Sequence, residues 1–415
     1  MRKLCLLLCL SSYIFAEIFP DIQRRRDQYL SDPGYFIAPA PYSLPGIGEG
    51  FILLGIAYNI NETQTDLMFN VLDGDVKGYG FGVGDLYAIE KHLKFEILQS
   101  RLDKASVQSY SSRGMDSSKD DYLNLQLEQA QFTGIRTTAS FYEKMFELYA
   151  MTYLNKFAID SLKDQDGTVI LDSSANLTYD TESYIFGFML DYTDDRQDPR
   201  EGFRFDASLD YTPQDESGSA DFFVSNYNAT FYLPIGDRSS WAFNYFRSDA
   251  HVLQEGETDY DLLSQDMGLD CTLISDPVQK SKCESVIYNT IAANKYGTAT
   301  SLGGRSRLRS YPEGRFKGAH TQFYGTEFRW YMTEERSPFD LWFIQDIRTG
   351  MQTAFFYEKG SVSETSSDLG KNERDSYGVG LRVINASGLV YRIDFADGDE
   401  GYETTIIINY PWELF

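Results

Sequence analysis

Between Phe203 and Tyr211 the odd positions read Phe203, Phe205, Ala207, Leu209 and Tyr211, and the even positions Arg204, Asp206, Ser208 and Asp210. Successive side chains of a strand point to opposite faces, so this run has one apolar face and one ionic face. The same division recurs in Tyr184, Phe186, Phe188, Leu190 and Tyr192. It returns in Tyr324, Phe328 and Trp330 against Glu327 and Arg329, and in Leu389, Tyr391, Ile393 and Phe395 against Arg392 and Asp394. Alternation predicts strands at 51–59, 67–72, 79–87, 93–98 and 123–128, and two near Leu154. Further strands follow at 184–192, 203–211, 223–233, 241–247, 321–332, 350–359, 377–384, 389–396 and 404–412. Turn residues separate them, as in Asp164-Gln165-Asp166-Gly167, Gly236-Asp237 and Asp397-Gly398-Asp399.

Arg2 and Lys3 precede an apolar run from Leu4 to Phe15 that ends at Ala16, the pattern of a cleaved secretory signal over 1–16. No later run of about eighteen apolar residues could form a spanning helix. An exported chain of amphipathic strands crosses a membrane only as a closed barrel, because lipid offers no partner to an open sheet edge. The expected fold is therefore all-β, a transmembrane antiparallel barrel over 48–415 with an even number of strands, sixteen. A secreted sandwich is the competing architecture. Residues 17–47, with Pro20, Pro33, Pro39, Pro41 and Pro45, are expected to form an extended periplasmic segment.

The net charge of -25 excludes nucleic acid as a partner, since phosphates need a basic surface. Aromatics at 15% suit the interfacial girdles of an outer-membrane barrel. Cys5 and Cys9 lie in the signal, whereas Cys271 and Cys283 are expected to staple an exported loop with a disulfide. His92, His251 and His320 are the chain's three histidines and fit no metal or nucleophile signature, so no metal, cofactor or enzymatic activity is expected. Expected partners are outer-membrane lipid and lipopolysaccharide. The acidic turn at Asp397, Asp399 and Glu400 either binds divalent ions there or is an ordinary charged tip.

Between Arg247 and Thr321 about seventy residues lack alternation, in a connection between the eleventh and twelfth expected strands. A loop of that length is usually functional. It carries Gly303-Gly304, then Leu308-Arg309-Ser310-Tyr311, then Gly314-Arg315-Phe316. This cluster resembles the aliphatic-Arg-Gly-aromatic motif of the long sixth loop in the BamA/TamA outer-membrane assembly superfamily, the bacterial surface antigen family. The resemblance implies that the loop folds into the lumen, where its Arg meets a Phe-x-Asp-x-Gly strand motif. Phe356, Glu358 and Gly360 stand in that place, with Glu for Asp, and Ser310 stands for the motif glycine. A guanidinium fork suits a carboxylate, so Arg309 is expected to pair with Glu358. Arg204, Asp206, Asp210, Glu327, Arg329, Arg382, Arg392 and Asp394 are expected to be lumenal charges, and a salt-bridged wet lumen is their ordinary reading.

Asp194-Asp195-Arg196, Pro199 and Gly202 are similar to the family's mid-barrel turn, and the terminal Phe415 to an outer-membrane assembly signal. The 31 residues from Glu17 to Ile47 cannot hold a POTRA module, so a separate periplasmic protein would have to supply one. The expected seam joins 51–59 to 404–412, weakened by Pro411. A role in outer-membrane biogenesis or in protein or lipid transport is the leading expectation. A passive diffusion channel and a structural surface protein are the alternatives.

Overall fold

The computed structural model describes residues 33–110, 112–171, 177–214, 218–333, 339–341, 344–347, 349–385, 390–408 and 410–412. Sixteen antiparallel strands close into a barrel. They are β1 Gly34–Leu44, β2 Gly48–Tyr58, β3 Asp66–Gly74, β4 Lys77–Ile89, β5 Leu93–Tyr110, β6 Tyr122–Phe141, β7 Phe146–Lys163 and β8 Leu177–Thr193. The second half holds β9 Gly202–Thr212, β10 Asp221–Pro234, β11 Ser239–Gln254, β12 His320–Tyr331, β13 Thr349–Ser363, β14 Arg374–Asn385, β15 Val390–Gly398 and β16 Gly401–Ile408. A short strand, Val169–Leu171, lies beside β7, and the β12–β13 connection holds a separate hairpin, Phe339–Leu341 with Ile344–Ile347. The expected signal over 1–16 and Phe415 lie outside the described residues.

The alternation sets the wall. Phe51, Phe186, Tyr227, Trp241, Tyr324 and Phe355 are exposed on the outer face, while Asp206, Asn228, Asn244, Glu327 and Glu358 are buried on the inner one. The connections alternate in size: 90–92, 142–145 and 235–238 lie at one end, and 112–121, 164–168 and 255–319 at the other. Short turns at one end and longer loops at the other are the pattern of outer-membrane barrels. The long strands β5 to β7, with 18, 20 and 18 residues, exceed the 9–11 that span a bilayer in such barrels.

The expectation for 17–47 is corrected at its C-terminal end. Gly34–Leu44 is a barrel strand that pairs along its whole length with β2. Two prolines hid it, yet proline is tolerated on a strand edge, where its missing N–H breaks no ladder. The barrel therefore begins at β1, ahead of residue 48.

The connection between β11 and β12 is the expected long loop. Its outer part carries two helices, α1 Tyr260–Asp266 and α2 Pro277–Tyr296, each capped by an Asp side chain, Asp259 and Asp276, that accepts from backbone N–H groups of the first turn. The disulfide Cys271–Cys283 is present and is buried with Leu263, Leu269 and Ile287 in a small core of its own. Replacing both cysteines with serine is expected to weaken this cap by about 3 kcal/mol, the chain-entropy value for so short a bridge. Limited proteolysis should then cut within 255–297 while the barrel stays intact, because the two cores are separate.

Candidate functional site in the barrel lumen

After α2 the loop turns into the barrel, and its tip reaches the inner wall of β12 to β15. Leu308 takes the left-handed backbone at φ 54, beside Gly303 at 104 and Gly304 at 96, and Ser310 does not. The unusual angle thus sits two residues before the position of the motif glycine. That explains why serine is tolerated there.

Arg309 is fully buried. Its Nε donates to Glu358 Oε1 at 2.9 Å, its backbone N–H to Glu358 Oε2 at 2.9 Å, Nη1 to Asp394 Oδ2 at 2.7 Å and Nη2 to Glu327 Oε2 at 3.3 Å. The guanidinium carbon stacks 3.5 Å over the Phe356 ring. Burial lowers the Arg309 pKa, but Glu358, Asp394 and Glu327 outweigh it and hold the group above its ordinary value. Even-numbered residues of β13 face the lumen, which puts all three motif positions to use. Phe356 stacks on the guanidinium, Glu358 accepts from it, and a Cβ at Gly360 would stand 2.6 Å from Leu302 and 3.3 Å from Leu308. Gly360 is therefore what admits the loop to the wall.

The wall itself continues the network. Glu327 also accepts from Arg329 Nε at 2.8 Å and from Arg382 at 2.6 and 2.5 Å, and Arg392 Nη1 donates to Asp394 Oδ2 at 2.9 Å. Every one of these side chains is 1% exposed or less. Four guanidiniums therefore surround three carboxylates in a site that excludes water, and each partner is costly to remove. Around the tip, Ser310 N–H donates to Ser376 Oγ at 3.0 Å and Tyr311 Oη to the Asp375 carbonyl at 3.1 Å.

Gly314, Arg315 and Phe316 belong to a different layer. Arg315 forks onto Glu400 at 2.9 and 2.6 Å and donates to Ser117 Oγ at 2.6 Å near the mouth, while Phe316 lies edge-on to Tyr311 with centroids 5.0 Å apart. Glu400, one of the acidic turn residues considered for divalent ions, is thus the partner of a loop arginine. Among the described residues no group of His, Cys, Asp and Glu forms a metal site.

Arg382, expected as a lumenal charge, completes the network. The seam escapes the sequence reading, since β1 rather than 51–59 meets β16, through one residue pair among the described residues, Ser43 opposite Ile406. Pro39 and Pro41 share the parity of Ser43, so their missing N–H groups fall on the side of β16. Side chains supply part of what the ladder lacks: Ser43 Oγ donates to the Thr404 carbonyl at 3.1 Å, and Tyr391 Oη to the Pro41 carbonyl at 3.0 Å. Pro411, expected to interrupt the last strand, lies beyond β16.

No sequence-family model matches the chain, and no curated protein resembles it in sequence. Among solved structures, CdiB from Escherichia coli aligns over 93% of this chain and 68% of its own length at 10% identity, with a TM-score of 0.50. BamA from Haemophilus ducreyi lacking POTRA domains 1-3 aligns over 91% and 70% at 11% identity, with a TM-score of 0.49. CdiB from Acinetobacter baumannii aligns over 91% and 65% at 12% identity, with a TM-score of 0.45. The chain has the fold of the CdiB barrel from Escherichia coli. In this CdiB-like barrel, the lumenal network and the thin seam are adjacent: β15 carries Arg392 and Asp394 and pairs with β16, the seam strand.

Proposed function

We propose that this chain is an outer-membrane barrel that serves membrane biogenesis or the transport of protein or lipid, with the β1–β16 seam as its moving part. The single observation that carries the reading is the contrast between that seam and every other strand pair. All other neighbours are zipped along a ladder, while β1 and β16 share one residue pair among the described residues. Two prolines on the facing edge keep the ladder short, and a strand edge with open carbonyls can accept another chain by strand addition. The buried loop tip supports the reading from the other side, because a lumen occupied through Arg309 favours exit through the wall. A separate periplasmic protein would bring the client to the barrel.

The test is to lock the seam. A Ser43→Cys/Ile406→Cys pair sits at directly opposed positions. In a strain lacking the native protein, the oxidised pair is expected to abolish complementation and the reduced pair to restore it. Full complementation by the locked barrel would overturn lateral opening. Unchanged ion conductance of that same locked barrel in planar bilayers, with full complementation, would support the diffusion channel instead.

A further inference from the structure

Beyond β16 the chain turns inward. Tyr410 and Trp412 are 6% and 2% exposed, and both lie inside the barrel. Trp412 Nε1 donates to Glu358 Oε1 at 2.9 Å, the same oxygen that accepts from Arg309 Nε at 2.9 Å. Its carbonyl accepts from Asn228 Nδ2 at 2.7 Å and from Arg307 Nη2 at 3.2 Å. Arg307 belongs to the loop, is stacked 3.8 Å over Phe246, and has an Nε with no hydrogen-bond partner. Tyr410 Oη donates to Asp198 Oδ1 at 2.6 Å, which also accepts from Tyr331 Oη at 2.8 Å. The wall is shaped for this segment: a Cβ at Gly325 of β12 would stand 2.7 Å from the Trp412 ring.

We infer that Tyr410–Trp412 is an internal latch that couples the seam strand β16 to the docking of the loop. The loop enters from the outer end and the latch from the periplasmic end, and they meet on one carboxylate oxygen. Moving β16 away from β1 pulls on Tyr410 and Trp412, which strips Glu358 of one donor and Arg307 of its carbonyl acceptor. Releasing the loop removes Arg307 and Arg309 from the surroundings of Trp412. Because each segment binds better when the other is seated, the coupling runs equally in both directions. It concerns β16 and the loop, and does not depend on what crosses the seam.

The experiment reads loop exposure in the folded full-length barrel. Ser310→Cys places a thiol at the buried tip, and its labelling by a bulky maleimide measures release. Trp412→Ala is expected to raise the labelling rate at least about tenfold, the factor that a hydrogen bond to a charged group supports. Trp412→Phe keeps the ring and removes the donor, and should raise it by a smaller factor; it carries the test if Trp412→Ala does not fold. Gly325→Ala, which displaces the ring without altering the latch itself, should act in the same direction. The coupling is read by adding the oxidised Ser43→Cys/Ile406→Cys lock. Locking should slow labelling when Trp412 is present and have no effect in the Trp412 variants. Labelling unchanged by Trp412→Phe and Gly325→Ala in folded barrels, or a lock that acts equally with and without Trp412, would overturn the latch.

Discussion

Arg309→Ala is expected to release the loop tip from the lumen while the barrel wall stays closed. The substitution leaves Glu358, Asp394 and Glu327 with only the wall arginines Arg329, Arg382 and Arg392, and removes the Nε donor to Glu358, the Nη donors to Asp394 and Glu327 and the stack on Phe356. Breaking a buried ion pair by deleting one partner costs about 3–5 kcal/mol, and here the carboxylate that loses its cation is Glu358, since Glu327 and Asp394 keep wall arginines as donors. That loss falls on docking of the loop, since Arg309 is the loop's contribution to the network and the other six charges come from wall strands. Proteolysis of 298–319 should become fast in the variant, with the detergent-folded barrel otherwise resistant. Arg309→Lys should recover only part of the protection, as a single ammonium cannot face three carboxylates in one plane. A loop that stays protected in Arg309→Ala would show that Tyr311, Phe316 and Arg315 hold it without the lumenal pair.

How much of this was legible in the sequence depends on where hydrophobic alternation carries information. Phe203 to Tyr211 and Tyr324 to Trp330 read as strands because one face is apolar and turned outward and the other charged and turned into the lumen. β5 and β6 read as 93–98 and 123–128, yet they run to Tyr110 and from Tyr122 to Phe141. The missed stretches, 99–110 and 129–141, carry polar residues on both faces, Ser100 and Arg101 in β5 and Gln131 and Thr138 in β6, and keep no strict period. β1 was missed for a different reason. Its sequence alternates properly, with Tyr35, Ile37, Pro39 and Pro41 on one face, but proline argues against a strand unless the strand is known to be an edge. That fact belongs to the closed ring.

The candidate site divides in the same way. The Leu308–Tyr311 and Phe356–Gly360 segments were readable because they are short and dense in chemistry. The inward turn of Trp412 was not, since a Thr404 to Trp412 run looks like one strand. Its placement is decided by Glu358 and Gly325, distant in sequence. Pro411 was the local signal, and it marks the end of β16 rather than a gap in the seam.

Glu327→Gln should do more damage than any change in the loop. This carboxylate accepts from Arg329 at 2.8 Å, from Arg382 at 2.6 and 2.5 Å, and from Arg309 at 3.3 Å. Two of those arginines sit on the wall strands β12 and β14, so the loss is felt in the barrel as well as in the loop. Glutamine preserves the shape and one acceptor, but it turns an NH2 group toward a guanidinium and leaves four buried cations with two carboxylates. The cost is again about 3–5 kcal/mol for an uncompensated buried charge, here shared by three donors at once. The expected outcome is a marked fall in the urea midpoint of the barrel together with loop release, whereas Arg309→Ala shows release with a smaller change in the midpoint. Adding Arg382→Met to Glu327→Gln should recover part of the lost stability, because it removes one of the stranded cations in favour of an apolar side chain of similar length. A Glu327→Gln barrel with an unchanged midpoint would mean that the cluster's charges are compensated by groups other than this carboxylate.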